Sequence, residues 1–382
     1  MLFRYESNII IDTSIPSPFT ARLDASSDTG FANDDKYTND ATPTLSGSGE
    51  NGAKVTVTVS GQTKTTVVAG GVWSVTLDAT LAQGSHTFTA IAVDAAGNQT
   101  LPISDSFIVD TITNVSGGLD MNSDSFGVGI GTNTDKLTNV KQPWFKGVTE
   151  IGNSVTLTIG SNTYNATVDD SGNWTVQVTQ DLSDGTQDYT INAVDKAGNT
   201  ATATGSIVID TQAPTPFTAR LDETSDTGAS NSDRITKDNT PTFSGTGENG
   251  ARVKLVVAGV EYFTNIVAGS WSITLPELTD GIRTYSITAT DAAGNTTVPI
   301  SGNFEIDTQI ELTGQLQAAS DSGLKGDHKT NVANPVFIGT GNSGDQVSLT
   351  INNQTYSATV GLNGQWTITV ADALVEGAMP YP

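Results

Sequence analysis

Lys54-Val55-Thr56-Val57-Thr58-Val59, closed by Ser60-Gly61, and then Val72-Trp73-Ser74-Val75-Thr76-Leu77 are two runs in which every second residue is apolar. Alternation of this kind, rich in Val, Thr and an aromatic, gives a strand one face in a core and one in water. The phase continues through Phe88, Ala90 and Ala92. It returns at Val253, Leu255 and Val257, at Trp271, Ile273 and Leu275, and at Tyr285, Ile287 and Ala289. Turn pairs such as Asp184-Gly185 and Asp280-Gly281 separate such runs. No amphipathic helical stretch of useful length interrupts them. The chain is all-β.

The same unit is written about four times. Asp-Thr recurs at Asp12, Asp110, Asp210 and Asp307, and tryptophan at Trp73, Trp174, Trp271 and Trp366. Ser-Asp recurs at Asp28, Asp124, Asp226 and Asp321, and Asp-x-Ala-Gly-Asn begins at Asp94, Asp195 and Asp291. All four markers share a period of about 98 residues. About seven short strands in that length fit an immunoglobulin-like β-sandwich, so the expectation is tandem sandwiches in an elongated rod. Residues 1–12 read as the last strand of a preceding unit, because Asn8-Ile9-Ile10-Ile11-Asp12 matches Ser206-Ile207-Val208-Ile209-Asp210. Repeats follow at 13–110, 111–210 and 211–307, and a fourth at 308–382 lacks its closing strands. With strands rising ~3.3 Å per residue, each repeat should be about 40 Å long.

Composition narrows the chemistry. The 382 residues carry 17 Lys and Arg against 41 Asp and Glu, a formal charge of −24. Such a chain has no reservoir of cations for nucleic acid or an anionic membrane. No apolar run approaches the roughly 18–20 residues of a membrane span. With no cysteine and only His86 and His328, thiolate metal sites, thiol nucleophiles and histidine-dependent triads have no material. No nucleophile–base pair recurs, and the expectation is a non-enzyme.

Carboxylates are what remains, and they gather at turn-like runs near the repeat boundaries. The expected groups are Asp94, Asp110, Asp120 and Asp124 at the first, and Asp195, Asp210, Asp222 and Asp226 at the second. The third holds Asp291, Asp307 and Asp321, with Gln317 in place of an acid; Asp12 and Asp24 are the counterparts in repeat 1. Like charges at ~5 Å repel by about 3 kcal/mol at an effective dielectric near 20. A hard divalent cation reverses that sign, and Ca²⁺ takes six to eight oxygens in flexible geometry. A second cluster lies inside each repeat: Asp28, Asn33, Asp35 and Asp40 in the first, and Asp226, Asn231, Asp233 and Asp238 in the third. Repeats 2 and 4 keep only Asp124 with Asp135 and Asp321 with Asp327. An ion-wrapping loop competes there with a loop held by its own Asx turns.

Other patterns mislead. Gly47–Gly52, Gly245–Gly250 and Gly339–Gly344 satisfy G-x-G-x-x-G, but a strand follows each and a dinucleotide site needs a helix. Asp169-Asp170 precedes a Ser-Gly turn. The recurring tryptophans keep core phase, and Trp144 alone is read as an exposed contact.

The combined motif Asp-Thr, Leu-Asp, Ser-Asp-Thr-Gly, Thr-Pro-Thr, Gly-Glu-Asn-Gly-Ala, Gly-x-Trp-Ser, Asp-Ala-Ala-Gly-Asn resembles the bacterial Ig-like repeat. Such repeats build giant non-fimbrial adhesins exported by type I secretion, biofilm-associated proteins among them. The resemblance covers nearly the whole chain. It implies an extracellular rod on the bacterial surface, stiffened by Ca²⁺ at its boundaries, that projects a tip toward host-cell or matrix glycans and receptors. The segment itself would be monomeric. By position it assigns the boundary ligands to Asp94, Asp110, Asp120, Asp195, Asp210, Asp222, Asp291 and Asp307. Repeat 2 departs from it at Lys141-Gln142-Pro143 and Phe126. The competing reading is a set of glycan-binding modules or accessory domains of a secreted carbohydrate-active enzyme, although aromatics make up only 7%.

Overall fold

The computed structural model describes residues 9–228 and 230–378, and every regular element among them is a strand. In repeat 1, Lys54–Val59 pairs antiparallel with Gln62–Val67 on one side and with Gly84–Val93 on the other. Gly84–Val93 continues into Ile103–Val109, and Tyr37–Thr38 joins the end of that strand in parallel. A three-stranded sheet of Arg22–Leu23, Thr44–Ser48 and Val72–Thr76 closes the sandwich. The alternating residues meet between the sheets: Val55, Val57 and Val59 pack in one core with Leu45, Trp73, Phe88 and Phe107. Repeats 2 and 3 repeat this topology, and repeat 2 adds Thr167–Val168 to the smaller sheet. In repeat 4, Val336–Thr340 pairs with Gln365–Thr369, and the hairpin Gln346–Ile351 with Gln354–Thr359 packs on the same core.

The chain forms two compact units. One runs to Gln212 and includes Ala292–Asn295; the other comprises 213–291 and 296–382. The first holds the sandwiches of repeats 1 and 2, the second those of repeats 3 and 4. Most of the strand reading for residues 1–12 lies outside the described residues, and Ile9–Asp12 form no strand. A strand needs a sheet edge beside it, and repeat 1 already seats its own last strand between Tyr37–Thr38 and Gly84–Val93.

One tryptophan anchors each sandwich. The indole N–H donates to a carbonyl in or just before the first strand: Trp73 to Thr20 (3.1 Å), Trp174 to Ser116 (3.0 Å), Trp271 to Thr218 (3.2 Å) and Trp366 to Thr313 (3.0 Å). The ring fills the core while its one polar atom is satisfied. The same carbonyls explain the first glycine of the misleading glycine motif. A Cβ on Gly47, Gly147, Gly245 or Gly339 would stand 1.8–1.9 Å from them. Close backbone approach, not a phosphate, requires glycine there.

Candidate metal centre

Gly185–Val194 runs antiparallel to Thr200–Ile209 along its whole length. The turn Asp195–Asn199 therefore lies at the end of repeat 2 opposite to Asp210, ten residues away at ~3.3 Å each, or about 30 Å. That end receives the linker from repeat 1. The Asp195 Oδ1 accepts the Asn199 N–H (2.8 Å), and the Asn199 Nδ2 donates to Asp195 Oδ2 (2.7 Å) and to the carbonyl of Asp110 (2.8 Å). The last residue of Asp-x-Ala-Gly-Asn is thus the clamp on the incoming chain. Glu150 arrives from the glycine-rich turn after Trp144–Thr149, where Asn114 Nδ2 donates to its Oε1 (3.2 Å).

Carboxylate oxygens of Asp110, Glu150 and Asp195 lie within 4.8 Å of one another. Asp195 is buried and the other two half-buried. None of the three takes part in the ion pairs seen among the described residues, such as Lys36–Asp105 and Lys146–Asp120. Each charge pair at this separation repels by about 3.5 kcal/mol at an effective dielectric near 20. Oxygen donors alone, three acids and an adjacent carbonyl edge, fit a hard divalent cation of the calcium type.

This grouping corrects the expected one. Asp110 meets Asp195 of the next repeat, not Asp94 of its own. Asp94 sits at the opposite pole of repeat 1, where Asn98 Nδ2 bonds its Oδ2 (2.8 Å) and the Asp12 carbonyl (3.1 Å). The clamp recurs as Asn295 Nδ2 on the Asp210 carbonyl (2.8 Å), both within the first compact unit. Asp12, Asp110, Asp210 and Asp307 share a linker turn: each Oδ1 accepts the N–H two residues on, at 3.0, 3.3, 3.1 and 3.1 Å. Asp291 is buried in the second unit. Near Asp307, Asn342 stands where Glu150 stands in repeat 2 and donates to the Gln309 carbonyl (3.3 Å), so an amide replaces that acid there. Glu150 is absent from the expected groups because Glu50, Glu150 and Glu248 sit inside the glycine turn; their recurrence near the common period is the signal that marks them.

Asp24, Asp120 and Asp222 are not brought to the linker acids. Each begins a tight turn in which its carbonyl accepts the N–H groups of the following Ser-Asp pair. The Asp120 Oδ1 accepts the Asn122 N–H (2.8 Å) and pairs with Lys146 (3.2 Å), and both effects lower its pKa. Ser26 and Ser46 lower that of Asp24. Hydroxyls of Ser244 and Thr224 hold Asp222 at about 2. A carboxylate depressed in the folded state stabilises it above the unfolded value near 3.9, and that contribution disappears as pH falls through the folded value. Asp222→Asn should therefore cost stability at pH 5 to 7 and little at pH 2, read from urea midpoints across that range.

The inner clusters are built otherwise than expected in one respect. Asp40 and Asp238 do not face Asp28 and Asp226; they accept hydroxyl bonds from Ser27 (3.0 Å) and Ser225 (2.7 Å). Asp35 and Asp233 do stand beside Asp28 and Asp226. Burial raises the carboxyls of Asp28, Asp124 and Asp226, and the neighbouring acids raise them further. In repeat 2, both oxygens of Asp135 are occupied by the N–H groups of Thr132 and Leu137. The loop that carries Asp28 also touches the next repeat: Thr29 Oγ1 donates to the Ala197 carbonyl (2.6 Å), and Lys196 Nζ lies 5.2 Å from the Tyr37 ring centroid.

Trp144 is 45% exposed. Asp169 is an Asx-turn residue whose Oδ1 accepts the N–H groups of Ser171 and Asn173. His86 Nδ1 lies 2.7 Å from the exposed Ser60 hydroxyl, and its Nε2 2.7 Å from the Ala82 carbonyl. No helix among the described residues is long and apolar enough to cross a membrane.

A family model described as the bacterial Ig-like domain matches residues 14–111, 113–211, 212–308 and 309–381. No curated protein matches the chain. Among solved structures, the chain is similar to a tetra-tandem repeat in the extending region of a large adhesion protein, at 24% identity over 94% of this chain and 93% of that one (TM-score 0.35). It is also similar to a Ca²⁺-stabilized adhesin that helps an Antarctic bacterium reach out and bind ice, at 26% identity over 95% and 97% (TM-score 0.32). A third is a 1.5-MDa bacterial ice-binding adhesin, at 24% identity over 76% and 98% (TM-score 0.33).

Proposed function

The chain belongs to the bacterial Ig-like domain family, and from that premise we propose that it is a non-catalytic stalk segment of a surface adhesin, its successive sandwiches fixed in line by Ca²⁺ at the linkers. The observation that carries this reading is the convergence of Asp110, Glu150 and Asp195, contributed by two repeats, within 4.8 Å. Without a cation the three carboxylates push linker and sandwich apart; with one they become its common ligands. Asp195, Asn199 and the Asp110 carbonyl pre-arrange the site, and the Thr29–Ala197 bond steadies the same junction from repeat 1. In this reading the cytosol, poor in Ca²⁺, leaves the junction loose for export. Outside the cell, millimolar Ca²⁺ fills sites of the weak affinity usual for extracellular modules. Adhesion to glycans or other receptors belongs to a tip that the stalk carries outward.

Small-angle scattering in Ca²⁺ and in chelator tests this. The maximum dimension should rise and the profile sharpen toward that of a rod with Ca²⁺, and Asp195→Asn should reduce the difference. Superimposable profiles overturn the proposal. Binding of this chain by itself to a glycan array would favour the module reading instead.

A further inference from the structure

One hydroxyl per repeat stands at the same place, directly after the Ser-Asp pair: Thr29, Ser125, Thr227 and Ser322. Each oxygen accepts a backbone N–H from its own repeat: from Asn39 (2.8 Å), Asn139 (2.7 Å), Lys237 (2.9 Å) and Asn331 (2.7 Å). A hydroxyl used as an acceptor still has its hydrogen to give, which a carboxylate at that place would not. In repeats 1 and 2 that hydrogen leaves the repeat. Thr29 donates to the Ala197 carbonyl (2.6 Å) and Ser125 to the Ala293 carbonyl (2.7 Å), all within the first compact unit. Ala197 and Ala293 are the same residue of Asp-x-Ala-Gly-Asn.

The carbonyl before that alanine is gripped as well. Gly30, with φ at +96°, comes so close to Lys196 that a Cβ there would stand 1.9 Å from the Lys196 carbonyl oxygen. In repeat 2, where Phe126 replaces the glycine, the N–H of Gly127 donates to the Ala292 carbonyl (3.0 Å) instead. Two different backbones thus meet the same two consecutive carbonyls. In repeats 3 and 4 the equivalent surface is built and open: a Cβ on Gly228 or Gly323 would meet nothing within 4 Å.

Position gives this contact its consequence. The Thr29 N–H donates to the Tyr37 carbonyl (3.1 Å), and Tyr37–Thr38 pairs with the end of Ile103–Val109. Thr29 therefore lies two interstrand spacings, about 10 Å, to the side of the strand that becomes the linker. Asp110 is on the linker itself, so a cation there ties down the next repeat close to the axis of the connecting chain. Such a tie resists bending far more than rotation about that axis. Relative motion of neighbouring domains is the default unless further contact stops it.

We propose that the hydroxyl and backbone of this loop form the docking surface for the Asp-x-Ala-Gly-Asn turn of the following repeat, and that the docking fixes the rotation of one sandwich on the next. The proposal rests on the stalk reading and adds to it a determinant that is not a metal ligand. The linker holds turn and loop at high effective concentration, so contacts too weak to join free molecules suffice here. Lys196, with its Nζ 5.2 Å from the Tyr37 ring centroid, adds a cation–π contact that the alanines at the same place, Ala95 and Ala292, cannot make.

Spin labels test it, because a chain with no cysteine accepts two at chosen places. Thr65→Cys and Asn165→Cys, both exposed, put one label on each of the first two sandwiches. In Ca²⁺ the parent should give a single narrow distance by pulsed dipolar spectroscopy. Thr29→Val should lose that narrow distance while its calcium titration stays unchanged, and Thr29→Ser should keep it, as Ser125 shows for repeat 2. Gly30→Ala should lose it too. Gly228→Ala carries the same positive-φ strain with no neighbour within 4 Å, so its melting transition reports what the strain alone costs. A narrow distance kept by both Thr29→Val and Gly30→Ala overturns the docking role, and so does a parent distance already broad in Ca²⁺. A parent distance equally narrow in Ca²⁺ and in chelator strikes the linker cation alone, and the docking surface then stands if Thr29→Val still broadens it.

Discussion

Calcium at ~10 mM should raise the melting temperature of the repeat 1–repeat 2 unit, and Asp195→Asn should remove most of the rise. An ion bound with a dissociation constant of about 10⁻⁴ to 10⁻³ M, the range of extracellular modules, stabilises the folded state by roughly 1.4–2.7 kcal/mol at that concentration. For a domain of about 100 residues, 1 kcal/mol corresponds to roughly 4–8 °C, so one linker site is worth about 6–22 °C. Asp195→Asn keeps the size of the side chain and the turn that Asn199 closes, but deletes one of three charges that lie within 4.8 Å. In chelator the same variant should melt higher than the parent, because it relieves about 3.5 kcal/mol of repulsion per pair at an effective dielectric near 20. That inversion of sign separates a ligand from a merely structural acid. Asp120→Asn is the control: Asp120 is hydrogen-bonded within its own turn and paired with Lys146, so its loss should leave the calcium increment unchanged. Scanning calorimetry of the three chains in Ca²⁺ and in chelator decides it. A calcium increment lost in Asp120→Asn and kept in Asp195→Asn would return the site to the grouping expected from sequence.

That grouping failed for a reason that lies in strand direction. Asp94 and Asp110 are close in the chain, and proximity in sequence places them in one group at the first boundary. The strand Ile103–Val109 lies between them, and it carries the chain from one pole of the sandwich to the other. A residue in the turn before a last strand and one just after it are a sandwich's length apart. The partner of Asp110 is therefore the equivalent turn one period later, at Asp195. Periodicity showed which acids recur, but only the up-and-down course of the strands shows which recurrences meet. The strands themselves were legible because period 2 is fixed by the pleat: Val55, Val57 and Val59 are all buried, as their phase requires. Glu150 was hidden for the opposite reason. Its turn is accounted for by its glycines, which mask the acid between them.

The largest loss should come from a residue that touches no carboxylate. Trp174 is fully buried, with its indole N–H on the Ser116 carbonyl (3.0 Å). Truncation to alanine forfeits about 3–5 kcal/mol by transfer and cavity terms. It also strands a buried acceptor, for about 1–3 kcal/mol more. Against a domain's usual margin of about 5–15 kcal/mol, repeat 2 would be left marginal or unfolded at 25 °C. The opposite error has the same result: in Gly147→Ala, the new Cβ would stand 1.9 Å from that same carbonyl and 2.6 Å from Gly117 Cα, backbone atoms of the paired strand that cannot swing aside. Repeat 3, whose sandwich and core are its own, should keep its transition. Repeat 2, however, supplies both Glu150 and Asp195 to the linker site. Trp174→Ala should therefore abolish calcium binding at Asp110 as completely as Asp195→Asn does, although all three acids remain in the chain. The two variants differ in one readout. The repeat 2 melting transition, and the part of the near-ultraviolet dichroism that repeat 2 contributes, survive in Asp195→Asn and vanish in Trp174→Ala; the signal of Trp73, Trp271 and Trp366 in the other cores remains. Calcium binding retained by a chain whose repeat 2 has melted would mean that the acids gather without the sandwich. The strand geometry that joins Asp110 to the next repeat would then no longer be what makes the site.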